Sequence, residues 1–147
     1  MNKLKLFIVI AFYSIWWGGF TFYSSIVIPE GMKILGDHVR MGLITETVSN
    51  YLNIIGTVTL FISFVLLLQN KKSANSKIGW EWFVLVILQL LLFYIHHLLS
   101  SMISQNGSKI DLQENFYSVH RIYLLTSTAM WLFIPLVFYR LIKPFLK

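Results

Sequence analysis

Apolar residues run almost unbroken through four stretches, at about 4–28, 49–69, 79–99 and 117–142, and polar residues collect in the short breaks between them. Each run exceeds the roughly 18 consecutive apolar residues that mark a transmembrane helix rather than a buried core helix. At about 1.5 Å per residue, a run of about 20–25 residues reaches about 30–38 Å, enough to cross a hydrocarbon core of roughly 30 Å. The pattern predicts an all-α fold, an integral membrane antiparallel four-helix bundle. It forms one domain over residues 1–147, with no room for a separate soluble domain. Lys3 and Lys5 ahead of the first run imitate a signal peptide. The run outlasts the usual apolar region of about 7–15 residues, however, and ends in YSSIVIP without a small-x-small cleavage site, so it is expected to be retained.

Charge orients these spans. Only 12% of the residues are charged, against roughly 25% in a soluble domain. Lys3, Lys5, Lys71, Lys72, Lys77, Arg140, Lys143 and Lys147 supply eight of the twelve Lys and Arg on one side. Lys33, Arg40, Lys109 and Arg121 lie on the other, with five of the six acids. By the positive-inside rule both termini are expected in the cytoplasm, in the cell (inner) membrane, with connectors 29–48 and 100–116 facing outward. The net charge of +6 follows from this topology and an anionic inner leaflet, and no basic patch points to nucleic acid. The expected partners are the lipid bilayer, other membrane proteins or further copies of the chain. PEGMKILGDHVRMGLI holds Met32, Ile34, Leu35, Val39, Met41, Leu43 and Ile44, too apolar for a solvated loop. A short amphipathic helix lying over the outer interface is expected there. Asn106-Gly107-Ser108 fits the pattern of a glycosylation acceptor but reads as a turn of the outer connector, from the turn chemistry of Asn-Gly.

Chemistry narrows next. The absence of cysteine removes disulfide exchange, thiolate catalysis and Cys-ligated metal. No Gly-rich phosphate loop, HExxH or GxSxG occurs.

Polar residues nevertheless recur at helical spacing inside the spans. Glu46, Asn50, Asn53 and Thr57 fall at i, i+4, i+7 and i+11, a stripe within roughly 60° of one helix face. Ser14, Gly18, Thr21 and Ser25 repeat that spacing with small side chains, which let helix backbones approach closely in lipid. The two stripes are expected to face each other or to share the interior. Gln89, His96 and Ser100 share a face of the third span, and His120 and Ser127 one of the fourth. Such groups serve either as interhelical hydrogen-bond glue or as a site. Trp80 and Trp82 beside Glu81 fit an aromatic belt at the inner interface.

Three of the four histidines stand at the two ends of one outer connector, His96 and His97 before it and His120 after it. His97 reads as interfacial, since adjacent helical residues point about 100° apart and only one can share the Gln89 face. His96 and His120 should meet at one depth, where Glu46 opens the second span. The predicted pocket in the outer half therefore comprises Glu46, Asn50, Asn53, His96, His120 and Arg121, with Glu46 and Arg121 balancing charge. Two imidazoles and a carboxylate are metal-ligand types, but no His-x-x-x-His spacing supports a metal.

GGFTFYSSIVIPEG, GLITETVSNYLNIIG and FYSVHRIYLLTST together resemble a group of uncharacterised four-helix bacterial membrane proteins of the domain-of-unknown-function kind. In that group a Gly- and Phe-rich first helix ends in Pro, and the last helix opens with an aromatic residue four before a His. The resemblance implies a four-helix membrane fold and hardly any chemistry. SVHRIYLLTS also looks like the Ser and His-Arg opening of the membrane-anchor subunits of succinate dehydrogenase, which bind quinone and haem b. It would give Ser118, His120 and Arg121 a part in such a site, although the Gly those anchors carry after the His-Arg is absent here.

Three classes of function remain open. The first is a non-enzymatic accessory subunit, or a ligand- or partner-binding protein, with a polar pocket in its outer half. The second is a haem- or quinone-binding subunit using His96 and His120, with Arg121 on a propionate or quinone oxygen. The third is a small transporter or channel lined by the Glu46 to Thr57 stripe, although LFISFVLLL leaves the inner half apolar. An acid–base pair of Glu46 and His120 lacks any nucleophile or metal motif beside it.

Overall fold

A computed structural model of the chain describes residues 3–69, 76–105 and 114–143. Helix α1 spans Lys3–Phe22 and leads through a π-helical turn, Tyr23–Val27, into α2, Ile28–Leu35. After Gly36 and Asp37 come α3 (His38–Gln69), α4 (Ser76–Gln105) and α5 (Glu114–Ile142). Among the described residues there is no strand. Four stretches are long and apolar enough to cross a membrane: Leu4–Leu35, Arg40–Gln69, Gly79–Met102 and Phe116–Ile142. Phe61, Leu90, Leu125 and Leu132 lie exposed along them, an apolar surface that suits lipid rather than water. The Asn106-Gly107-Ser108 turn and the Lys71, Lys72 pair lie outside the described residues.

The region expected as connector 29–48 is almost wholly helical. Pro29 cannot donate an amide proton, and its ring crowds the carbonyl four residues back. The π-helical turn just before it takes up this misfit, with the Ile28 amide bonding the Tyr23 carbonyl and the Ser24 hydroxyl donating to the Phe20 carbonyl at 2.7 Å. Helix α2 then ends at Gly36, whose φ of 60° suits a residue without Cβ, and its amide bonds the Met32 carbonyl at 3.0 Å. The α3 helix restarts at once, the Met41 amide bonding the Asp37 carbonyl at 3.1 Å. Of the apolar residues that suggested a cap, Met32, Leu35 and Met41 zip the two helices together with Tyr23, Val27, Val48 and Leu52, whereas Ile34, Leu43 and Ile44 are exposed.

Cross-helix pairs set the register. Lys5 Nζ donates to Gln69 Oε1 at 2.8 Å, and Tyr23 OH to Thr45 Oγ1 at 2.8 Å, so α1 and α3 run in opposite directions. The same holds for α3 and α4, where Trp82 Nε1 donates to the Leu60 carbonyl at 3.2 Å and Ser100 meets Glu46. At the end nearer Lys5, Arg140 of α5 pairs with Glu81 of α4. The ring pair Trp17–Trp131, stacked 5.7 Å apart, joins α5 to α1. Trp82 thus spends its indole N–H on a neighbouring helix, whereas Trp80 is exposed. Between these contacts lies a core that includes Tyr13, Trp16, Leu85, Leu92, Met130 and Ile134.

The small-residue stripe of α1 does not face α3. Ser14 and Ser25 are exposed, and a Cβ on Gly18 would meet no atom within 4 Å. Large residues make that interface instead. Tyr13 shares a 3.0 Å hydrogen bond with Ser63, and the Trp16 indole lies so close to Gly56 that a Cβ there would come within 2.6 Å of it. Bulk on α1 meets the bare backbone of α3 at that point, the reverse of small-on-small packing.

Candidate functional site

Glu46 lies in the first third of α3, against the C-terminal part of α4. Ser100 Oγ donates to Glu46 Oε1, and His96 Nε2 sits 3.0 Å from the Glu46 carbonyl oxygen. A carbonyl only accepts, so His96 is the donor and carries a proton on Nε2. His96 and Ser100 are four residues apart, one above the other on a single helix face, so one edge of α4 presents both groups to Glu46.

The next turn of α3 extends the cluster. Ser49 is buried and faces Tyr123 of α5, whose ring centre lies 6.5 Å from that of His96. On the α1 side Thr45 accepts from Tyr23. The π-helical turn, α4 and α5 therefore each bring polar groups to the stretch of α3 from Thr45 to Ser49. One turn deeper, Asn53 is 1% exposed, and its carbonyl accepts a 3.0 Å bond from Gln89 Nε2.

Among the described residues, no cation stands against the carboxylate at this site. Glu30 pairs with Lys33, Asp37 with Arg40 and Glu81 with Arg140. Glu46 has no cationic partner among the described residues. Its carboxylate is half-buried and is held by the Ser100 hydroxyl.

Of the six residues expected in the pocket, the structure gathers Glu46, Asn53 and His96. Asn50 and Arg121 are exposed, and Arg121 joins no ion pair among the described residues. The expected Glu46–Arg121 balance is therefore replaced by the Ser100 contact. His120 is half-buried with its ring stacked on Phe116, 6.0 Å between centres and 5° between planes, an i, i+4 contact within α5. It is Tyr123, one turn on, that reaches the His96 side. His97 is exposed.

Ser49 and Tyr123 were absent from the expected set, although a signal existed. Glu46, Ser49 and Asn53 fall at i, i+3 and i+7, a spacing as good as the one through Asn50.

The residues do not fit a haem held between two imidazoles, the group implied by the His-Arg likeness. His96 Nε2 is committed to the Glu46 carbonyl, and the His120 ring lies flat against Phe116. Ser118 and His120 stand two residues apart, about 200° around the helix, and so do not share a face. Among the described residues no group of three His, Cys, Asp or Glu is placed to hold a metal ion. The stripe expected to line a path is split, with Asn50 and Thr57 exposed and Asn53 buried. Beyond it Leu66, Leu85, Ile134 and Val137 fill the interior toward the Lys5 end.

No protein family, curated protein or solved structure matches this chain.

Proposed function

We propose that the chain is a small integral membrane protein, an antiparallel four-helix bundle with both termini cytoplasmic. On this reading the Gly36 end faces outward, and a pocket in the outer half binds the cationic group of a ligand or of a partner membrane protein. The observation that carries the reading is Glu46: a half-buried carboxylate, fixed by Ser100, with no cation beside it among the described residues. An ionised group at membrane depth is costly unless something compensates it, and such residues mark sites in membrane proteins. An incoming ammonium or guanidinium would supply the missing charge, with His96, Ser49 and Tyr123 positioning polar surface around it. The Ser100 hydroxyl is spent on fixing the Glu46 carboxylate, and on this reading the cluster has a binding or accessory role. The basic asymmetry of the chain supports the orientation.

The test compares wild type with Glu46→Gln after purification from native membranes. Mass spectrometry of bound small molecules and co-purifying proteins is combined with an absorption spectrum and metal analysis. A stoichiometric cationic compound or partner protein, present in wild type and lost in Glu46→Gln, is expected. A Soret band would replace this reading with the haem-subunit one, and identical, empty preparations of the two proteins would refute it.

A further inference from the structure

Among the described residues, six polar ones are buried in the core: Ser49, Asn53, Thr59, Ser63, Gln89 and Thr126. All are neutral, and four are fully engaged. Ser49 meets Tyr123, Thr59 and Thr126 donate to the Ile55 and Ile122 carbonyls at 2.8 Å, and Ser63 bonds Tyr13 and the Thr59 carbonyl. Asn53 and Gln89 differ. Asn53 Oδ1 and Nδ2 and Gln89 Oε1 are buried without a hydrogen-bond partner among the described residues, as is the indole Nε1 of Trp16. The one other such atom is the second carboxylate oxygen of Glu81, whose first oxygen is paired with Arg140.

The contacts of Gln89 and Trp16 on α3 fall within one helical turn of each other. Gln89 reaches the Asn53 carbonyl, and Trp16 Nε1 rests against Gly56, one turn along α3 from Asn53, about 4.5 Å of rise. Asn53 stands near the midpoint of the Arg40–Gln69 span, and Gln89 near that of Gly79–Met102. Exchanging amide oxygen and nitrogen does not remove the deficit. Both ends of Asn53 are unpartnered, and turning Gln89 would set its oxygen against the Asn53 carbonyl. In water such groups are cheaply solvated, whereas at mid-membrane depth each must find a partner.

We propose that Asn53, Gln89 and Trp16 form a mid-span site for a compact, uncharged ligand that both donates and accepts hydrogen bonds, either water or a small neutral carboxamide-like molecule. The protein offers two carbonyl acceptors, an amide donor and an indole donor, and the buried polar groups of the core carry no charge, so an ion is not matched. The site is independent of the Glu46 reading and lies about two turns below it, seven residues along α3.

Water-edited solid-state NMR on the full-length protein in lipid bilayers tests this, with water protons as the probe. The Trp131 indole, which donates to Thr21 Oγ1 near the middle of the Phe116–Ile142 span, is the internal reference. Polarisation is expected to reach Trp16 Nε1 and the Asn53 amide several-fold faster than Trp131 Nε1, and the transfer to Trp16 should be lost in Asn53→Leu. Slow transfer accompanied by a stoichiometric neutral compound in a denaturing extract also supports the site, with an organic occupant. Slow transfer in wild type with no such compound overturns it, because Asn53 and Gln89 would then satisfy each other in a dry core. The wild-type comparison with Trp131 decides the matter even if Asn53→Leu does not fold.

Discussion

The imidazole of His96 donates from Nε2 to the main-chain carbonyl of Glu46, 3.0 Å away and fifty residues earlier in the chain. The bond fixes the tautomer and also ties α4 to the backbone of α3, so it survives any change of the Glu46 side chain. Glutamine at 46 should therefore leave the helices in register while removing the charge.

Nitrogen-15 NMR should show His96 Nε2 protonated in the lipid-embedded protein. A deprotonated Nε2 would mean that the ring does not donate to Glu46. His96→Phe keeps the ring volume and removes the bond, at an expected cost of about 0.6–1 kcal/mol in an unfolding titration, the usual size for an interhelical hydrogen bond in a membrane.

Gly56 and Gly18 should behave oppositely when each is replaced by alanine. A Cβ at Gly56 would press within 2.6 Å of the rigid Trp16 indole, whereas one at Gly18 would meet open space. Gly56→Ala is expected to destabilise by about 1–3 kcal/mol. Gly18→Ala should be neutral or stabilising by up to about 1 kcal/mol through helix propensity. Equal effects in a reversible unfolding assay would show that α1 does not present Trp16 to α3.

Trp17, Thr21 and Trp131 form a closed relay between α1 and α5. Trp131 Nε1 donates to Thr21 Oγ1 at 2.8 Å, Thr21 donates to the Trp17 carbonyl at 2.8 Å, and Trp17 Nε1 donates to the Trp131 carbonyl at 3.1 Å. Thr21→Val should cost about 0.6 kcal/mol and Trp131→Phe about 1 kcal/mol. Because both remove the same bond, the double variant should cost clearly less than the sum, and additivity in the double-mutant cycle would dissolve the relay.

Orientation is open to labelling in intact cells. With cysteine introduced singly at Ser73 and Ser108, an impermeant maleimide should modify position 108 and spare position 73. The opposite pattern would place the Glu46 cluster on the cytoplasmic side.

Much of the helical content was legible in advance because it depends on local composition. Twenty or so apolar residues in a row leave the backbone nothing but itself to bond to in lipid, and the four spans follow. The lengths of the first two helices were less legible. Pro29 marks an end when read as a helix breaker, yet here a π-helical turn accommodates it and the helix runs on to Leu35. Contacts between Tyr23, Met41 and Leu52, distant in sequence, hold that extension in place.

The sequence by itself determined four apolar helices, a basic asymmetry between their ends and a set of polar residues concentrated near Glu46. It could not determine the rotation of α3 about its own axis. Asn50 and Asn53 differ by three residues, about 60° around a helix, and a stripe through Glu46 accommodates either. Only the tertiary structure decided that Asn53 turns inward with Ser49 while Asn50 faces out. The rotation is set where Trp16 lies on Gly56, Tyr13 meets Ser63 and Gln89 bonds the Asn53 carbonyl. Those are contacts between helices, and in lipid, where apolar surface is solvated on every side, packing shape and hydrogen bonds choose the buried face rather than hydrophobicity.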